Sequence, residues 1–99
     1  MKFKITIDGK EYHANMVDNK LNKQIADMCP FEANYKRYKE HEYYTELPKN
    51  ANQEGCKLTT EAKSNKIYYF SGWNAFTILF GDGNTSPFEV VELGEIIED

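Results

Sequence analysis

The sharpest constraint on this chain lies in its first sixteen residues. Phe3, Ile5 and Ile7 alternate with Lys2, Lys4 and Thr6, and Asp8-Gly9 follows. Period-two alternation marks a strand with one buried face. Asp-Gly between two such runs is the signature of a two-residue type I′ hairpin turn. Counting across that turn sets the register: Ile7 opposes Lys10, Ile5 opposes Tyr12, and Phe3 opposes Ala14. Opposed residues share a face, so Tyr12, Ala14 and Met16 extend the apolar side. Lys4, Thr6, Glu11 and His13 fall on the solvent side. Whatever fold the chain adopts must begin by covering one face of this hairpin.

The next segment supplies a cover. Val17, Leu21, Ile25 and Met28 recur at helical spacing, while Asn22, Lys23, Gln24 and Asp27 take the other face. Asp18 is the expected N-cap, and Pro30 ends the helix. From Phe31 the pattern turns aromatic and charged, which predicts strands over about 31–38 and 42–47 around Lys39-Glu40-His41. Residues 49–65 are polar and read as a surface excursion with little packing of its own. Lys66–Ser71 is a strong strand, and Gly72-Trp73-Asn74 turns it. Phe76–Phe80 is apolar on both faces and so is expected to be buried on both. Gly81-Asp82-Gly83-Asn84 is a turn or loop. Phe88–Leu93 is the next strand, with Gly94 allowing a kink or bulge before Glu95–Ile97.

Composition narrows the classes. The chain has 99 residues, enough for one domain, 1–99. Seven Tyr, six Phe and one Trp make the apolar set rich in rings, which argues against disorder. Twelve Lys plus Arg against sixteen Asp plus Glu give a net charge of −4. An acidic domain without a basic block offers no footprint for nucleic acid. No apolar run approaches the ~20 residues of a membrane span, and the opening Met1-Lys2-Phe3-Lys4 does not read as a signal peptide. Two cysteines are too few for a disulfide scaffold. The expectation is a soluble, cytoplasmic protein.

A hairpin followed by one helix suggests a β-grasp start, but too many strands follow. Seven or more strands with one short helix suit a closed antiparallel barrel better, because closure removes exposed edges. Several segments, taken in order, resemble the small bacterial cyclophilin-like domain proteins. They are Val17-Asp18-Asn19, Cys29-Pro30-Phe31-Glu32, Glu42-Tyr43-Tyr44-Thr45-Glu46-Leu47-Pro48, Ile67-Tyr68-Tyr69-Phe70, Trp73, Leu79-Phe80-Gly81 and Leu93-Gly94-Glu95-Ile96. The pattern departs before the Ile-Tyr-Tyr strand, where Ser64-Asn65-Lys66 replaces the usual Gly-Asp turn. The resemblance implies an all-β fold with one main short helix: a closed antiparallel cyclophilin-like β-barrel of about eight strands, capped by helix at an open end. It does not imply prolyl isomerisation. Functional cyclophilins carry Phe-His-Arg and Gln-Gly-Gly-Asp stretches, whereas the one arginine here, Arg37, stands in Asn34-Tyr35-Lys36-Arg37-Tyr38.

His13 and His41 have no partner at metal-ligand spacing, so no metal site is expected. Cys29 and Cys56 form no Cys-x-x-Cys, and Cys29 follows a helix C-terminus, where the dipole disfavours thiolate. Gly81-Asp82-Gly83-Asn84 reads as a turn in preference to an anion nest. Glu42 and Glu46 share one strand face with Tyr44 between them, either as a working pair or as a solvated face. Tyr35, Tyr38, Tyr43, Tyr44, Tyr68, Tyr69, Trp73 and Phe76 exceed what one small core needs. Partly exposed rings near one another suggest a groove. The candidate ligand-binding residues are Trp73, Tyr35, Tyr44, Glu42, Glu46 and Phe76, with no catalytic residue and no cofactor. The leading expectation is a non-catalytic binding module for a peptide segment or small-molecule ligand. The alternatives are a divergent prolyl isomerase using Arg37 and a self-associating barrel. The oligomeric state stays open.

Overall fold

A computed structural model describes residues 1–7, 9–30, 36–38 and 42–97, with the backbone alone for 36–38. The alternation becomes β1 (Lys2–Ile7) and β2 (Lys10–Met16), paired in the expected register: Phe3 faces Ala14, Ile5 faces Tyr12 and Ile7 faces Lys10. Gly9 takes a positive φ of 81° in the connection.

Helix α1 (Lys20–Met28) follows. Its N-cap is Asn19 rather than Asp18: the Asn19 Oδ1 accepts from the Asn22 backbone N–H at 2.7 Å. The wheel also misplaces Asn22, which is fully buried beside Leu21 and Ile25. Its amide donates to the carbonyls of Val17 (2.6 Å) and Leu93 (2.8 Å), tying the helix to the last strand. Backbone acceptors inside the fold allow an asparagine to be buried where side-chain polarity argues for solvent. Val17, expected on the apolar stripe, is exposed ahead of the helix.

Beyond the helix come β3 (Lys36–Tyr38), β4 (Glu42–Glu46), β5 (Glu61–Ala62), β6 (Lys66–Phe70), β7 (Ala75–Leu79), β8 (Gly83–Asn84) and β9 (Val91–Ile97). A 3₁₀ turn, Ser71–Trp73, joins β6 to β7. One sheet runs β1-β2-β9-β6-β7-β4-β3, antiparallel at every pairing, and β5 with β8 forms a separate two-stranded arm. The expected β9 start at Phe88 moves to Val91. Gly94 sits at the expected bulge: Ile67 pairs with Gly94 but Tyr68 with Glu92, leaving Leu93 as the extra residue.

The sheet is mostly antiparallel β with one short helix, but it is an open half-barrel, not the closed barrel expected. β1 and β3 remain as its edges. The two halves meet instead through side chains: Phe80 touches Tyr12 of β2 (centroids 5.8 Å apart) and Tyr43 of β4 (6.0 Å).

The two faces carry separate apolar clusters. On the helix-bearing face, Ile5, Ala14, Leu21, Ile25, Ile67, Phe76, Ile78 and Leu93 belong to the main core. On the far face, Ala62, Tyr68, Leu79 and Val90 make a second cluster beneath the arm, with Phe70 against it. β7 is buried along its whole length, as its two-sided apolar sequence predicts. The 49–65 excursion is more tied down than its polarity suggests. Ala51 and Cys56 pack on the main core, Ala62 is buried in the second cluster, and the Gln24 side chain pairs both ways with the Asn52 backbone at 2.9 Å.

Candidate functional site

β7 presents Ala75, Thr77 and Leu79 to the far face, alternating with Phe76 and Ile78 toward the main core. Ala75 and Thr77 are small and leave room above them. The arm covers only part of this face. The remainder is a groove of about 500 Å³ whose floor is Ala75, Thr77 and Leu79 of β7 with Tyr44 and Glu42 of β4. Register aligns these residues in pairs: Glu42 with Leu79, and Tyr44 with Thr77.

Three rings wall one end. Trp73 is 56% exposed and Phe88 49%, and they meet edge to face at 5.0 Å. Phe70 meets Trp73 at 6.2 Å, also edge to face. Such pairing holds rings in a defined arrangement while leaving faces accessible. The 3₁₀ turn that carries Trp73 ends in Asn74, in the left-handed region at φ 49°, ψ 43°. Asn74 anchors that turn to the 49–51 segment. Its Nδ2 donates to the Lys49 carbonyl (2.8 Å), and its Oδ1 accepts from the Ala51 N–H (3.0 Å) and the Tyr69 hydroxyl (2.7 Å).

The loop that leads into Phe88, from Gly83 onward, also lines the groove. Internal hydrogen bonds hold it: Asn84 Oδ1 accepts from the Ser86 N–H (2.8 Å), and Thr85 Oγ1 donates to the Phe88 carbonyl (2.7 Å). The Thr85 N–H donates to the Thr60 carbonyl at 2.8 Å, fixing the loop to the arm. Beneath the arm, the Lys63 N–H donates to the Tyr68 hydroxyl (2.9 Å), and burial pushes the Tyr68 phenol pKa up.

Of the residues named from sequence, Trp73, Tyr44 and Glu42 come together in this groove. Phe76 does not: it points into the main core, because β7 residues alternate and Phe76 takes the helix-bearing side. Glu46 shares the face of Glu42 and pairs with Ala75, but it is exposed and lies outside the lining. Tyr35 and His41 lie outside the described residues. Phe70 and Phe88 were missed. Phe88 was concealed by its place ahead of an apolar strand, although Ser86-Pro87 just before it was a signal for a loop. The aromatic surplus is partly absorbed by the second cluster, since Tyr68 is fully buried there.

The other candidate groups stay apart from the groove. His13 is exposed and bonds Glu11 at 3.0 Å. Cys29 and Cys56 are free thiols, and burial raises the pKa of Cys29, whose Sγ donates to the Ile25 carbonyl. Among the described residues no three His, Cys, Asp or Glu side chains cluster to hold a metal. No helix among them is long and apolar enough to cross a membrane.

A half-barrel of antiparallel strands, one covering helix and a groove on the far face define a β-barrel-like domain of cyclophilin type. The chain belongs to the Cyclophilin-like family, whose model matches residues 5–99. No curated protein and no solved structure matches the chain.

Proposed function

We propose that the chain is a non-catalytic binding module that takes a small ligand or a peptide segment in the far-face groove. One observation carries the reading: two large rings, Trp73 and Phe88, stand half-exposed against each other at one end of a groove floored by β4 and β7. Exposed aromatic pairs are retained against the hydrophobic effect, and a partner of matching shape recovers the loss. A cavity of about 500 Å³ lies within the size range of small-molecule sites. The isomerase alternative rests on Arg37, but its backbone register partner is Tyr43, whereas Lys36 and Tyr38 stand opposite Tyr44 and Glu42 of the groove.

The test is a two-dimensional NMR titration of labelled protein with a fragment panel and a generic Ala-Pro peptide, including exchange spectroscopy. Shifts confined to Trp73, Phe88, Tyr44 and Thr77 are the expected result. Trp73→Ala is expected to abolish binding while spectral dispersion stays native. Binding that survives this substitution would remove the groove from consideration. New cis/trans exchange peaks on the peptide would overturn the non-catalytic reading, because uncatalysed exchange takes tens of seconds or longer.

A further inference from the structure

We infer that Thr77 sets what this groove accepts: a small molecule with an apolar body at the Trp73 end and a carbonyl or hydroxyl oxygen that takes a hydrogen bond from the Thr77 hydroxyl. This rests on the binding-module reading above and adds the polar group by which the groove tells a ligand from a hydrocarbon.

β7 reads Ala75-Phe76-Thr77-Ile78-Leu79, and Thr77 is its one polar residue. It is 1% exposed. Register sets Tyr68 of β6 on one side of it and Tyr44 of β4 on the other, so Thr77 stands between two rings in one row across the sheet. A buried position in a central strand favours valine, which has the same shape and hides no polar atom. Nearby hydroxyls are provided for within the chain. That of Tyr68 accepts from the Lys63 N–H at 2.9 Å, and that of Tyr69 donates to Asn74 Oδ1 at 2.7 Å. The Thr77 hydroxyl has no hydrogen-bond partner among the described residues, and it is not among the polar atoms sealed inside the fold. Thr77 lines the groove, so what settles on the floor decides whether that hydroxyl is paired. A hydrocarbon closes it in unpaired, whereas an oxygen acceptor satisfies it. Leaving it unpaired is expected to lower affinity about five- to hundredfold. Thr77 lies two residues, or about 7 Å of extended strand, from Ala75, which follows Trp73 by two. A phenyl ring among Phe70, Trp73 and Phe88 therefore reaches it through a short tether.

Two probes of one shape test this by NMR titration: 4-phenylbutan-2-one and (3-methylbutyl)benzene, in which a methyl group replaces the carbonyl oxygen. The readout is the ratio of their affinities, compared between proteins, because the hydration of each probe then cancels. Thr77→Val should shift the ratio against the ketone by at least about fivefold, with the hydrocarbon bound as well as before or better. Its urea midpoint should hold or rise, since no bond within the chain is lost. Thr77→Ser keeps the hydroxyl and should keep the ratio within about twofold of the wild type. A ratio unchanged in Thr77→Val, with both probes still shifting groove resonances, would overturn the role of Thr77 while the groove reading stands. So would an equal change in Thr77→Ser, which would assign the preference to shape, or a lowered midpoint in Thr77→Val, which would show the hydroxyl paired within the chain. Failure of both probes to perturb any groove resonance of the wild type would overturn both readings.

Discussion

At the scale of single residues, the informative positions are polar side chains that the fold has taken inside. Asn74 was legible as part of a turn because Gly72-Trp73-Asn74 is turn chemistry. Its reach to Lys49, Ala51 and Tyr69 was not, since those partners come from distant segments. The burial of Asn22 was hidden for the same reason: the carbonyl of Leu93 that satisfies it lies 71 residues away. Asn74 invites a direct measurement. Asn74→Ala strands the Ala51 N–H and puts an alanine at positive φ, so a loss of about 2–4 kcal/mol is expected from urea denaturation. Asn74→Gly relieves the backbone but not the amide, and should be roughly 1 kcal/mol less damaging. Equal losses would show that the left-handed conformation contributes nothing.

At the scale of elements, legibility follows length and periodicity. The β1–β2 hairpin could be registered residue by residue because two long alternating runs flank Asp8-Gly9. β7 was recognised as buried on both faces, but that property conceals which face is groove and which is core. Phe76 was accordingly named for the wrong side. The β5–β8 arm escaped notice because strands of two residues carry no period at all. Gly94 was legible as a break, and the structure shows a second demand on it. A Cβ there would run into the Asn15 carbonyl and the Met16 side chain, where β2 lies against β9. Gly94→Ala should therefore cost about 2–3 kcal/mol, read as a lowered urea midpoint, and weaken amide protection at Val17, whose N–H donates to the Leu93 carbonyl. Unchanged protection would mean that β2 moves aside freely.

At the scale of the whole molecule, the expected closed barrel is an open half-barrel whose halves meet through Phe80. The rings named from sequence divide between buried positions, Tyr68, Tyr69 and Phe76, and the exposed Trp73. It was not legible that one sheet would support two clusters, because face assignment needs the pairing of β6, β7 and β9. Those two clusters set an alkaline limit on stability. Burial raises the phenol pKa of Tyr68 in one cluster and of Tyr69 in the other. An unfolded tyrosine ionises near pH 10. Above that value the unfolded chain releases protons that the folded chain retains, so stability falls as pH rises. The contribution is complete below about pH 10 and lost as pH climbs through the folded values. Lys66, raised chiefly by its hydrogen bond to Glu92, acts in the same direction. The unfolding free energy from urea denaturation is expected to decline above about pH 10, by at most ~1.4 kcal/mol per pH unit for each phenol. A midpoint that holds steady to pH 11.5 would contradict this.

The position of β7 has one more consequence. The same strand forms the groove floor on one side and core wall on the other, so whatever settles on the floor is coupled to the melting of the entire sheet. A compound present at a hundred times its Kd, and bound only by the folded chain, adds about 2.7 kcal/mol to stability. For a domain of this size that raises Tm by on the order of 10 °C. A melting curve taken across a chemical library therefore finds ligands without a label and without a guess about what they are.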